Sequence, residues 1–159
     1  MLQFPVAGID GWESMLHVPT LPFLDTSLLE RLGLGGAFDP HALEYARALG
    51  IGCQWFGKAV GWKGYRDRWL IDGLAGYAGV LYLDRRYPDT ARDRPVLAGL
   101  RDLLLAPAGV DPSGKAMIHD DIGPVWLGQR LTSTRTPNAY VNTVYTKSVW
   151  IVHMECESR

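Results

Sequence analysis

Polar and apolar positions along the chain predict four helices separated by Gly- and Pro-rich turns. The first opens at Asp39-Pro40, a good N-cap followed by proline at the position where a missing N–H costs nothing. Its pattern, HALEYARALGIGCQWFGKAV, runs to about Lys58. Gly50 and Gly52 fall in its middle, and each costs about 1 kcal/mol against Ala in a helix interior. After the turn GWKGYRDR, a second helix is predicted from about Arg66 to Arg86, with Leu70, Leu74, Tyr77, Leu81 and Tyr82 at helical spacing on an apolar face. A third covers Pro95–Leu105, and a last runs from about Tyr140 to Cys156, where the apolar pattern of Val149, Ile151 and Val152 is still running. Between them APAGVDPSGK reads as a turn-rich connection, IGPVWLGQRL as either strand or short helix, and STRTPNAY as a loop. Near the N-terminus, Ser14–Val18 reads as a short strand followed by a loop. Asp25 or Thr26 could cap a short helix over Ser27–Leu32, ended by Gly33, with GLGGAFDP as a further loop.

Composition adds limits. The chain has 159 residues, 47% hydrophobic and 21% charged, the balance of a foldable domain. No repeat, low-complexity tract or linker divides it, so it reads as one unit over residues 1–159. Sixteen Lys and Arg against seventeen Asp and Glu leave a net charge of -1, which argues against a nucleic-acid or anionic-membrane binder. No apolar run reaches the roughly 18 residues of a membrane span, and MLQFPVAGID lacks the basic and apolar regions of a signal peptide. Two cysteines, Cys53 and Cys156, make neither a disulfide framework nor a four-cysteine zinc site.

The most informative stretch is Gln54–Tyr77, QWFGKAVGWKGYRDRWLIDGLAGY. It resembles the segment that follows the zinc motif in the membrane alanyl aminopeptidase family of gluzincin metallopeptidases, which reads HExxHQWWG, a turn, then W-L-x-E-G-F-A-x-Y. GPVWLGQRL with TPNAY is similar to a connection in bacterial members, Tyr145-Thr146-Lys147-Ser148 to the family's Y-x-K-G, and VPTLPFLD at 18–25 to the segment before the zinc helix. The resemblance implies a mainly helical (α+β), thermolysin-like catalytic-domain core with a small sheet near the N-terminus. Family members are far longer, so the chain reads as a catalytic-domain fragment.

In that family, two His one helical turn apart and a Glu on the next helix hold zinc, leaving one position open for water. The Glu after the first His is general base, and the Tyr of Y-x-K-G donates to the oxyanion. Here the five motif positions are Leu49, Gly50, Ile51, Gly52 and Cys53, and the third ligand position is Asp72. Leu49 cannot bind metal, Gly50 has no side chain, and Asp72 is a methylene shorter than Glu. Only Tyr145 stands unaltered among the chemical groups. The resemblance thus implies a non-catalytic relative with no expected cofactor, zinc being the family's metal. Cys53 and Asp72 are vestigial ligand positions and Tyr145 a vestigial oxyanion donor. Peptides or another protein chain are the implied partners, with self-association through apolar surface left uncovered by missing neighbours. The alternatives are an active zinc hydrolase with a rearranged site built from Cys53, Asp72 and a further His, and a decayed fragment without function.

Each residue also has a plainer reading. Cys53 can be a small buried helix residue, Asp72 the partner of a nearby Arg, and Tyr145 an amphipathic core residue. His119-Asp120-Asp121 reads as a solvated turn rather than a metal cluster, and Lys58, Lys63, Arg66 and Arg68 as a solvated basic turn. His17, His41 and His153 read as surface or core residues, and the series Trp55, Trp62 and Trp69 as packing between the two central helices.

Overall fold

The computed structural model describes residues 15–18, 21–24, 40–89, 95–136 and 139–158. The described chain is mainly helical: α1 spans Pro40–Trp55, α2 Arg68–Arg86, α3 Pro95–Leu105 and α4 Thr146–Glu157. Strands β1 (Met15–Val18) and β2 (Leu21–Leu24) form an antiparallel pair beside α1, and β3 (Pro107–Val110) pairs antiparallel with β4 (Ala116–Ile118). The small N-terminal β element is thus present. Residues 21–24, expected as loop, form its second strand. Pro22, opposite His17, is tolerated there because a two-stranded ribbon needs no N–H on its outer edge. The expected helix over Ser27–Leu32 and the Asp39 cap lie outside the described residues.

Helix boundaries follow local chemistry. α1 stops at Trp55, short of Lys58, because Gly57 takes a φ of 104° and the Val60 N–H turns back to the Trp55 carbonyl at 2.8 Å. α2 starts at Arg68, after a 3₁₀ turn over Tyr65–Asp67. The connection expected to be only turns is the β3–β4 hairpin. Its tip is held by Asp111, whose Oδ1 accepts from the Ser113 N–H (2.8 Å), the Ser113 hydroxyl (2.6 Å) and the Lys115 N–H (2.9 Å). Val125–Leu131 is a 3₁₀ segment kinked at Gly128, which resolves the strand-or-helix ambiguity there. The last helix opens with a π turn, Tyr140–Tyr145, before α4.

α2 lies between α1 and α4, and glycine decides how closely. Tyr45 of α1 meets Gly79, Gly52 meets Ala75, and Gly57 just past α1 meets Ile71, so α1 and α2 run antiparallel. A Cβ on Gly52 would sit 2.8 Å from the Ala75 carbonyl oxygen, and one on Gly73 would sit 2.8 Å from that of Ser148. The glycine that looked like a weakness in α1 is therefore the point of closest approach. The same fact corrects the expected apolar face of α2. Its buried side is Ile71, Gly73, Ala75, Gly76, Tyr77, Gly79, Val80 and Leu83, while Leu70, Leu81 and Tyr82 are exposed, Leu81 to 50%. Small residues carry little hydrophobic signal but let two backbones pack closely.

The main core joins Tyr45, Ala46, Leu49, Ala75, Val80, Leu97, Leu100, Val149 and Val152 across all four helices. A second cluster gathers Leu131, Ala139 and Val144, with Trp69, Ile122, Leu127 and Tyr140 against it. Trp69 therefore packs inside. Trp55, 66% exposed, and Trp62, also exposed, do not pack between the helices as expected.

Candidate functional site

Three segments converge on Asp72: the C-terminal end of α1, the first turns of α2, and the π turn before α4. Asp72 sits one turn into α2 with its side chain only 13% exposed. Arg68, four residues earlier on the same helix face, places its Nε 3.9 Å from Asp72 Oδ2. The Tyr140 hydroxyl donates to the same oxygen at 3.5 Å, a long bond. Tyr140 and Tyr145 stack edge to face with centroids 5.5 Å apart and share a side-chain hydrogen bond. The π turn makes this possible: at about 3.6 residues per turn an α-helix would splay residues five apart, whereas the i→i+5 repeat of a π turn brings them together. Arg68 also hydrogen-bonds Tyr145 and lies over the Trp62 and Tyr140 rings at 5.4 and 5.6 Å.

These neighbours set the charge states. Burial pushes the Asp72 carboxyl up to about 6, and Arg68 and Tyr140 oppose that rise without cancelling it. Burial, with the Asp72 charge behind it, lifts the Cys53 thiol to about 11 against a smaller opposing pull from Lys58, so the metal-free chain holds it protonated and weakly nucleophilic. Burial likewise raises Tyr140 to about 12 and Tyr145 further. For Arg68 burial works against the charge, but Tyr140, Asp72 and Tyr145 outweigh it, so its pKa rises and it stays cationic.

Tyr145 joins the Asp72 cluster through Tyr140 and Arg68, and Cys53 lies within reach of the Asp72 charge. Leu49, one turn before Cys53, is 3% exposed and belongs to the main core. The donors present do not fit a catalytic zinc ion. Leu49 and Gly50 contribute no ligand, which leaves Cys53 and Asp72 as two candidates where catalytic zinc takes three protein ligands, and Asp72 is engaged by Arg68. Among the described residues no group of three or more His, Cys, Asp and Glu side chains is placed to hold a metal. Arg68 and Tyr140 complete this cluster beyond the residues that the resemblance points to. Arg68 had a signal, its i, i+4 spacing to Asp72; Tyr140 had none, because its place depends on the π turn.

Other expectations meet mixed outcomes. Asp120 and Asp121 are exposed, but His119 is buried, since its 3₁₀ turn packs against α3 and the π turn, and Thr143 donates to its carbonyl at 2.9 Å. Lys147 clamps that turn through Asp120, 2.7 Å from its Oδ1. Within the basic run, Lys58, Lys63 and Arg66 are exposed, but Arg68 is drawn inward to Asp72. His41 packs edge-on against Tyr87, and His153 packs against Tyr77 and Trp150; the side chain of His17 is not described. Among the described residues no helix is long and apolar enough to cross a membrane. No protein-family model, curated protein or solved structure matches the chain.

Proposed function

We propose that this chain keeps the helical shell of a zinc aminopeptidase catalytic domain without its hydrolytic chemistry, and acts by holding a peptide or pairing with another protein chain. The observation that carries the reading is the convergence of Cys53, Asp72 and Tyr145. Tyr145 lies far along the chain from Cys53 and Asp72, yet the Asp72 charge acts on both Cys53 and Tyr145, which supports the roles of second ligand, third ligand and oxyanion donor that the resemblance gives these positions. The residues that would have to grip and use the ion are an apolar core side chain and a glycine. In place of metal, the Arg68 guanidinium neutralises Asp72, and Tyr140 and Tyr145 close the cluster with hydrogen bonds.

The test is the zinc content of the purified protein together with its hydrolysis of an aminoacyl nitroanilide. The reading expects substoichiometric zinc and no turnover. Stoichiometric zinc with turnover abolished by Asp72→Ala overturns it in favour of a rearranged metal site.

A further inference from the structure

A groove of ≈ 510 Å³ opens beside the Asp72 cluster, between the 3₁₀ turn Tyr65–Asp67 and the kinked segment Val125–Leu131. That is the size of a small-ligand site. The two walls are fixed to each other: the Tyr65 hydroxyl donates to the Leu127 carbonyl at 2.9 Å, and a Cβ at position 128 would lie 2.6 Å from that hydroxyl. Only glycine at 128, with its φ of 56°, allows this closure.

The lining is cationic and aromatic. Lys63, Arg66 and Arg130 are exposed there, against one acid, Asp67. The Arg66 guanidinium lies over Trp126 at 5.5 Å from the ring centroid, and Arg130 over Tyr65 at 5.7 Å. Cation–π attraction at these distances holds each guanidinium near its ring, and its N–H donors remain available to a carboxylate. Among the described residues none of these three cations forms an ion pair.

We infer that this groove, with Arg66 and Arg130 as paired carboxylate clamps, binds an acidic peptide segment of two or three residues. The Asp67 carboxylate would accept a hydrogen bond from a backbone N–H of that segment. A single-stranded nucleic acid fits less well. Its bases would have to compete for the Trp126 and Tyr65 rings with the arginine held near each. The whole chain, at -1, also lacks the basic excess that binds a long polyanion. The inference stands apart from the reading of Asp72, since none of its residues belongs to that cluster.

Calorimetric titration of the full chain with a triglutamate peptide, its triglutamine counterpart and a short oligothymidylate tests it. Triglutamate should bind at least tenfold more tightly than either competitor and weaken as salt rises. Arg66→Gln and Arg130→Gln should each weaken it about tenfold, with Arg66→Lys intermediate because it keeps the charge and loses the fork. Circular dichroism confirms that each variant folds, and Lys63→Gln, outside both stacked pairs, should give a smaller loss. Equal binding of triglutamine, tighter binding of the oligonucleotide, no binding at all, or triglutamate binding unchanged by both Arg→Gln variants overturns the inference. None of these outcomes bears on the zinc measurement, so the two readings fail separately.

Discussion

Gly73→Ala tests the packing that places the candidate site. Gly73 follows Asp72 on α2 and faces α4 where Ser148 passes. An added Cβ would stand 2.8 Å from the Ser148 carbonyl oxygen, 2.9 Å from its Cβ and 3.0 Å from its carbonyl carbon. Two of those atoms are backbone, so no rotamer change relieves the clash, and α2 and α4 must move apart. Overpacking of this kind costs roughly 1–3 kcal/mol, against about 1 kcal/mol gained from the better helix propensity of Ala. The net expectation is a loss of up to about 2 kcal/mol, which for a chain of this size lowers Tm by up to about 8 °C. Gly99→Ala is the control: Gly99 is exposed within α3, and nothing lies within 4 Å of its added Cβ. That variant should gain about 0.5–1 kcal/mol from propensity alone. Urea unfolding followed by far-ultraviolet circular dichroism reads both on one scale. If Gly73→Ala stabilises as much as Gly99→Ala, the close crossing of α2 and α4 is wrong, and the approach of Asp72 to the π turn falls with it.

Further outcomes follow from the same contacts. Burial holds the Asp72 carboxyl at about 6 in the folded chain against an ordinary 3.8, so the folded state takes up its proton first as pH falls. Its contribution therefore becomes more favourable from above pH 6 down to about 4, by up to roughly 3 kcal/mol at about 1.4 kcal/mol per unit. The stability difference between wild type and Asp72→Asn should follow that curve, and a difference independent of pH would refute the burial. Leu49→Ala removes a core side chain and should cost about 2–5 kcal/mol, measurable in urea, although the resemblance assigns that position to metal binding. Trp55→Ser, at an exposed site, should change stability by less than about 0.5 kcal/mol and reduce self-association in sedimentation velocity; unchanged sedimentation would show that this face carries none. Lys147→Ala breaks a half-exposed pair and should cost no more than about 1 kcal/mol in the same unfolding assay, while raising hydrogen exchange in the His119–Asp121 turn.

The sequence by itself determined the helices. Their periodicity and the proline opening α3 are local facts that need no partner, so the expected elements and the observed ones largely coincide, although the first helix pattern runs on to about Lys58, past the stop at Gly57. It also determined the missing chemistry, because a leucine and a glycine cannot ligate metal in any fold. Tertiary structure decided which faces are inside. Apolar residues on α2 point to solvent while its glycines are buried, since the backbones of α1 and α4 come too close for larger side chains. It decided the polar cluster as well. Asp72 could be read from the sequence as a relic ligand or an arginine partner, and only the fold delivers Tyr140 and Tyr145 to it through a π turn that no spacing rule announces. The cationic groove has the same origin, because Arg66 and Arg130 sit on separate turns that meet only where Gly128 lets Tyr65 approach. Local propensity acts over a few residues, and such sites are set by contacts between residues sixty or more apart, as in the bonds from Tyr140 to Asp72 and from Tyr65 to Leu127.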